Sequence, residues 1–191
     1  MNALIKLRYV LLLIILLPAS YLAFKNIPVR TELSSEPLYV GKKLGEVAGE
    51  NIVLMDTSNN LFDISNFTAA VHILVFYNGD CKQCQGKQNA LRKIAQKYMK
   101  RQVQVIYIRP GMESFRDFLD YPLKKAVRLY DEDSRLTEAL QIRLFPTEVI
   151  LDENGMIKNV TSGYDGRSEK EYLESTAIKI DSLLAHGKLS Q

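Results

Sequence analysis

The tightest constraint on what this chain can fold into is the placing of its two cysteines. Cys81 and Cys84 stand three residues apart, and the stretch Asn78-Gly79-Asp80-Cys81-Lys82-Gln83-Cys84-Gln85-Gly86-Lys87 joins an apolar run to an amphipathic one. Before it, Val71-His72-Ile73-Leu74-Val75-Phe76-Tyr77 is almost continuously apolar and rich in β-branched and aromatic residues, the pattern of a strand buried on both faces. After it, Ala90, Leu91, Ile94, Ala95 and Tyr98 recur at helical spacing, with Lys87, Arg92, Lys93, Lys97 and Lys100 among the polar positions. The CxxC therefore falls at a strand-to-helix turn. With the first sulfur at the start of the helix and the second one turn later on the same side, the two can close a disulfide. The unpaired amide N–H groups and positive dipole end of the helix stabilise a thiolate in its first turn, and the thiolate is the form that attacks. Cys81 is the expected nucleophile and Cys84 the resolving thiol, and such an exchange needs no metal or organic cofactor.

Other uses of two thiols were weighed against this one. As a staple the pair is poor, because closing a loop of about four residues removes only about 2 kcal/mol of unfolded-chain entropy. A zinc site would want two further ligands, and the histidines, His72 and His186, fall in a strand and near the chain end, so no metal site is expected there. His72 reads as a core or edge-strand residue. A copper(I)-binding or delivery protein using the same two thiolates is the alternative function, since thiolates suit a soft ion. A thiol peroxidase would need a peroxide pocket, and no signature of one surrounds Cys81. A domain that serves only as an interaction surface is the remaining alternative.

The amino end carries a membrane signal. Lys6 and Arg8 precede Tyr9–Phe24, a run without charge that is rich in Leu and Ile, and Lys25 ends it. With Leu4, Ile5 and Leu7 counted and the cations snorkelling, the segment approaches the ~20 residues that span a bilayer. Positive charge on its amino side predicts a cytoplasmic N-terminus and a remainder outside the cytoplasm. A cleaved signal peptide is the rival, because Pro18-Ala19-Ser20 resembles a cleavage region, yet Tyr21 occupies a place where a small residue is wanted. The expectation is a transmembrane signal anchor over residues 1–25, a linker over 26–39 and a domain over 40–191. All 22 acidic residues and all the basic ones except Lys6 and Arg8 lie beyond Phe24, so the remainder of the chain is within one charge of neutrality. That excludes an electrostatic argument for nucleic acid.

Beyond the linker, Ile52-Val53-Leu54-Met55 and Leu61-Phe62-Asp63-Ile64 flank a turn-rich stretch and predict a hairpin. The strand at 71–77, the helix to about Lys100 and the strand Val103–Ile108 form one βαβ unit, so those strands should be parallel with a right-handed crossover. Ser114–Asp120 is expected as a short helix and Ala126–Tyr130 as a weaker strand, and Asp133 or Ser134 should cap a helix placing Leu136, Ala139 and Leu140 inward. Glu148-Val149-Ile150-Leu151 and Met156–Val160 surround Asp152-Glu153-Asn154-Gly155, whose Asn-Gly pair is a strong hairpin signal. Ser168 with Glu171 makes a capping box for a closing helix that carries Tyr172, Leu173, Thr176, Ala177, Ile180, Leu183 and Leu184 at helical period.

This order of elements, with CxxC at the end of a buried strand and Phe145-Pro146-Thr147 ahead of a later strand and its Asp-x-Asn-Gly turn, resembles the thioredoxin superfamily. It is most similar to the membrane-anchored, extracytoplasmic thiol–disulfide oxidoreductases of the bacterial TlpA/ResA group, over roughly residues 40 to 186. The resemblance implies an α/β thioredoxin-like fold, a central mixed sheet flanked by helices, preceded by one N-terminal transmembrane helix. It implies that Pro146 follows a cis peptide facing the active-site disulfide, making Cys81, Cys84 and Pro146 the catalytic positions, with Phe145 and Thr147 where an extended substrate segment would pair. The partners implied are protein thiols or disulfides on the periplasmic side of a cell membrane, and a membrane-embedded or soluble redox partner. The chain departs from the family at three places: Asp80 stands where a tryptophan is usual, Lys82-Gln83 lacks the common proline, and Val75 replaces the buried acid that thioredoxins carry six residues before the first cysteine. Lys82 favours a thiolate at Cys81, Asp80 opposes it, and the lost carboxylate removes a proton acceptor for Cys84.

Overall fold

The apolar run beginning at Val71 becomes the strand around which a sheet is laid. The computed structural model describes residues 39–49, 52–64, 69–78, 82–98, 100, 102–111, 127–163 and 167–187. The expected anchor, the linker up to residue 38, Cys81, and the short helix expected at Ser114–Asp120 lie outside the described residues. Among the described residues, no helix is long and apolar enough to cross a membrane. The elements in chain order are α1 (Leu44–Ala48), β1 (Val53–Asp56), β2 (Leu61–Asp63), β3 (Val71–Phe76), α2 (Lys82–Tyr98), β4 (Val103–Pro110), β5 (Val127–Asp131), α3 (Arg135–Ala139), β6 (Thr147–Asp152), β7 (Ile157–Ser162) and α4 (Glu169–Gly187).

The strands form one mixed sheet in the order β2-β1-β5-β4-β3-β6-β7. β3 pairs parallel with β4 and β4 with β5, as the βαβ reading requires, while β6 runs antiparallel to β3, β7 to β6, β1 to β5 and β2 to β1. Every residue of β3 is buried, because it lies inside the sheet and helices cover both faces. On one face Leu74, Phe76, Ile106, Ile108, Leu129, Val149 and Leu151 pack with Leu44 of α1 and Leu136 of α3. On the other, Ile73, Val75, Tyr77, Val105 and Tyr107 pack with Leu91, Ile94 and Tyr98 of α2 and with Tyr172 and Ile180 of α4. Alternation along β3 and β4 thus sends successive side chains to opposite layers. The two helices of the second layer are joined where the Tyr98 hydroxyl donates to the Ala177 carbonyl at 3.3 Å.

Three local expectations differ from what forms. The helix after β5 is capped neither by Asp133 nor by Ser134, whose backbone is left-handed at φ 57° and whose side chain makes no cap bond. Its cap comes from the end of the strand: the buried carboxylate of Asp131 accepts from the Leu136 and Thr137 amides, at 3.2 and 2.7 Å, and from the Thr137 hydroxyl at 2.6 Å. A carboxylate already held between strand and helix can reach those donors without leaving the sheet. Tyr39, expected in the linker, packs against the first core, and the segment behind it is anchored by hydrogen bonds from Gly41 N to Ile157 O and from Leu44 N to Gly155 O. At the β6–β7 turn only Gly155 has positive φ, at 71°, so Asn-Gly does not form a two-residue mirror-image turn. Instead the Asp152 carboxylate accepts from the amides of Asn154 and Met156, both at 2.9 Å, and closes a longer loop. The capping box of the last helix forms as expected, with Ser168 N donating to Glu171 Oε2 at 2.8 Å and Glu171 N to Ser168 Oγ at 3.3 Å.

His72 is a core residue. It is fully buried on β3, and its Nε2 accepts the Ala69 amide at 3.1 Å. Burial disfavours the imidazolium and pushes its pKa down to about 4. A folded-state value below the unfolded one means that the stabilisation is complete above about pH 6.5 and is lost as pH falls through about 4. His72→Gln keeps an acceptor for the Ala69 amide and removes the titration. Denaturant unfolding across this window should therefore show a shallower loss of stability in the variant than in the wild type, whatever the absolute stability of either.

Candidate active site

β3 ends at Phe76, and the Tyr77 amide still donates to the Ile108 carbonyl at 3.1 Å, so the chain is held to the sheet until just before the cysteine turn. α2 begins at Lys82. Cys84 lies in its first turn, 4% exposed, packed in the cluster that contains Ile73, Val75, Tyr77, Tyr107 and Tyr172. Its sulfur is disulfide-bonded, and the chain has one other cysteine, Cys81.

The register of β6 on β3 brings a second segment to this end of the sheet. Phe76 faces Thr147 and Val75 faces Glu148, so the residues just ahead of β6 emerge beside the residues just after β3. Those residues are Leu144, Phe145 and Pro146, and the Phe145–Pro146 peptide is cis. Pro146 is buried and its carbonyl accepts the Gly163 amide at 2.9 Å. Phe145 is half-buried and packs against both cores, Cys84's included. Leu144 is 59% exposed. Thr147 is 1% exposed, and its hydroxyl donates to the Leu144 carbonyl at 2.7 Å, so its side chain holds the loop rather than facing outward.

Tyr172 of the Cys84 cluster leads to a buried ion pair that the sequence reading did not find. Lys87, placed by the sequence among the polar positions of the helix, is 4% exposed, and its Nζ lies 3.1 Å from Glu148 Oε1, with both side chains almost wholly out of water. Lys87 Nζ also donates to the Gly163 carbonyl at 3.2 Å and lies 5.2 Å from the centre of the Tyr172 ring. The Tyr172 hydroxyl donates to Glu148 Oε2 at 2.7 Å. Burial, and then the neighbouring Glu148 carboxylate, raise the Tyr172 phenol well above its ordinary range, so it remains a donor. The Arg167 guanidinium lies 5.9 Å from the same ring and donates to Ser175 Oγ at 2.7 Å. The signal that could have found the pair is a lone charge, Glu148, opening an otherwise apolar run that must lie inside a sheet. Among the described residues no group of three or more His, Cys, Asp or Glu is placed to hold a metal ion.

The redoxin family profile matches residues 40–175. Among solved structures, a candidate protein disulfide isomerase from Bacteroides thetaiotaomicron superposes with a TM-score of 0.62 at 18% identity, over 79% of this chain and 93% of that one. A secreted disulfide oxidoreductase from Mycobacterium tuberculosis superposes with a TM-score of 0.58 at 16% identity, over 70% and 98%. An exposed lipoprotein thioredoxin from Streptococcus pneumoniae does so with a TM-score of 0.53 at 22% identity, over 65% and 96%. These likenesses show a thioredoxin-like fold. No curated protein sequence matches the chain.

The Thr147 hydroxyl is the side-chain tie that fixes the loop ahead of β6. Thr147→Val keeps the shape and removes the bond to the Leu144 carbonyl, and should lower stability by about 1 kcal/mol. Urea denaturation measures the loss, and an unchanged midpoint would remove this role from Thr147.

Proposed function

The chain belongs to the redoxin family and is a thioredoxin-like oxidoreductase, and from that premise we propose that it exchanges a Cys81–Cys84 dithiol or disulfide with thiols and disulfides of proteins outside the cytoplasm. The observation that carries the reading is a disulfide-bonded Cys84 in the first turn of the helix that follows a buried strand, at the sheet end where the Phe145–Pro146 loop emerges. In the reducing direction the Cys81 thiolate attacks a partner disulfide. A mixed disulfide forms and the partner's other sulfur leaves as a thiolate. Cys84 then attacks Sγ of Cys81, closing the intramolecular disulfide and releasing the second partner sulfur. Two electrons pass to the partner, whose thiolates take up protons. The oxidising direction runs the same steps backward. An extended segment of the partner would lie along Phe145 and Pro146, with the exposed Leu144 at its edge, and Cys81, Cys84 and Pro146 are the residues assigned to the reaction.

The amino-terminal sequence supports the placing of this chemistry. Lys6 and Arg8 ahead of an uncharged run ending at Lys25 fit a single-pass anchor with its N-terminus in the cytoplasm and the domain on the far side. Outside the cytoplasm a cysteine pair meets oxidising partners, and exchange there has substrates in either direction.

Cys84→Ala leaves Cys81 without its resolving thiol and should accumulate mixed disulfides with partner proteins that dissolve on adding reductant, seen as band shifts on non-reducing gels. The exchange reading is lost if no such adducts form and the wild type also fails to exchange with a small dithiol. Tight one-to-one uptake of copper(I) by the reduced protein, without exchange, would instead make the pair a metal-carrying site.

A further inference from the structure

The loop ahead of β6 turns its polar groups inward. The Leu144 carbonyl accepts the Thr147 hydroxyl at 2.7 Å, the Pro146 carbonyl accepts the Gly163 amide at 2.9 Å, and the Gly163 carbonyl accepts Lys87 Nζ at 3.2 Å. With those groups engaged inside the protein, this rim of the site meets a partner chiefly through side chains. Leu144 is 59% exposed, and its Cδ1 lies 3.8 Å from the position that a Cβ on Gly163 would take. Gly163 has φ 74°, the left-handed region that favours glycine, so no side chain rises there to cover the leucine. A lone exposed leucine is ordinary on a protein surface. This one stands two residues before Pro146, on a loop pinned from β6 and from just past β7. Its neighbour Arg143 is exposed and has no ion-pair partner among the described residues. The cations Lys87 and Arg167 are engaged, the first on Glu148, the second on Ser175 Oγ and the Tyr172 ring.

Resting on the exchange reading above and deepening it, we propose that Arg143 and Leu144 select the partner. The protein segment taken for exchange is one whose cysteine is flanked by an apolar side chain, seated on Leu144 beside Gly163, and by a carboxylate that reaches Arg143. A segment with a lysine in that second place brings a like charge up to the guanidinium, and one with a small polar residue in the first leaves Leu144 in water. Both are disfavoured relative to the acidic and apolar segment. The substrate class is therefore protein cysteines in acidic, apolar surroundings.

These contacts discriminate more than they hold. An exposed ion pair contributes little to affinity, and a single half-covered leucine not much more, but selection needs only a difference between the right segment and the wrong one. Beyond the amino-terminal run the chain is within one charge of neutrality, so it exerts no long-range preference for acidic partners, and the choice is made by the charge at the rim itself. The Thr147 hydroxyl already fixes the Leu144 backbone, so docking orders side chains and not the loop, which keeps its entropy cost low. The two contacts also respond differently to salt: the apolar one persists, while the charged one fades as screening rises.

The test uses the full-length protein, reduced, and short peptides whose single cysteine is a mixed disulfide with a coloured aromatic thiol. The protein's two electrons cleave that bond, releasing the aromatic thiol and then the peptide thiol as Cys81–Cys84 closes. The peptides carry leucine or serine next to the cysteine and glutamate or lysine one place further out, on either side, and initial rates are compared within each protein, so that differences in the amount of folded variant cancel. The wild type should take glutamate over lysine by about three- to fivefold at low salt, and this preference should vanish near 1 M salt, where the screening length is about 3 Å. It should take leucine over serine by about fivefold at either salt. Arg143→Glu should reverse the order of glutamate and lysine. Leu144→Ser should abolish the leucine preference and Leu144→Met should keep it. If the wild type exchanges but takes all peptides alike, or Arg143→Glu leaves the order unchanged, the selection is wrong while the exchange reading stands. If the wild type exchanges with no peptide and no small dithiol, the exchange reading fails, and dye-labelled peptides with serine in place of cysteine, titrated by fluorescence anisotropy, still decide the selection. Tighter binding of the glutamate and leucine peptide, with the charge order reversed by Arg143→Glu, supports it, and equal binding overturns it.

Discussion

The pairing of β3 with β6 is the constraint on which the rest of this structure depends. Phe76 opposite Thr147 brings the Phe145–Pro146 loop to the end of the sheet where the chain turns into α2, and Val75 opposite Glu148 puts a carboxylate on the Cys84 side. A slip of one residue would reverse every side chain of β6. Glu148 would then point among Leu74, Phe76 and Ile106, and Val149 toward Lys87. Breaking a buried ion pair by removing one partner costs about 3–5 kcal/mol, because the other charge is left stranded. The alternative registers are thus penalised by electrostatics as well as by misplaced apolar groups, and the pair helps enforce the alignment that creates the site.

Around that pairing the helices form two layers of different character. On the side of α1 and α3 the packing is almost entirely aliphatic, and polar groups appear at the margin, as with the Asp131 carboxylate that caps α3. On the side of α2 and α4 the layer is rich in tyrosine, with Tyr77, Tyr98, Tyr107, Tyr130 and Tyr172 all buried. Tyrosines bring apolar area together with a hydroxyl that must be satisfied. The two whose partners are plain from the geometry use it to tie elements together, Tyr98 to the Ala177 carbonyl and Tyr172 to Glu148. Helix α2 is therefore backed by a layer that is both closely packed and hydrogen-bonded, which holds Cys84 and its neighbours in fixed relation.

Much of this was legible in the sequence because it depended on local pattern. The continuous apolar run at Val71–Tyr77 gave a strand buried on both faces, the spacing of Ala90, Leu91, Ile94 and Tyr98 gave α2, and Ser168 with Glu171 gave the start of α4. The cis peptide at Phe145–Pro146 was implied by family resemblance, not by spacing. What could not be read depended on partners distant along the chain. That β1 joins the sheet beside β5 rather than beside β3 is a matter of long-range pairing, and nothing in Val53–Asp56 marks it. Asp131 caps a helix five and six residues on because the end of β5 is buried, so the nearer Asp133 and Ser134 were the wrong choices. Lys87 looked like any cation on a basic helix until its partner, 61 positions later, was brought beneath it.

The same buried pair changes how the energetics at the cysteines should be weighed. From sequence, Lys82 and Asp80 were the charges to set against each other, one on each side of Cys81. Lys87 and Glu148 are 4% exposed, where a unit charge acts strongly and ionic strength matters little. Yet an intact ion pair projects little field, because its two members oppose one another at any third point. Whatever reaches beyond the pair is therefore the difference between two opposed charges, and ionic strength in the solvent changes it little.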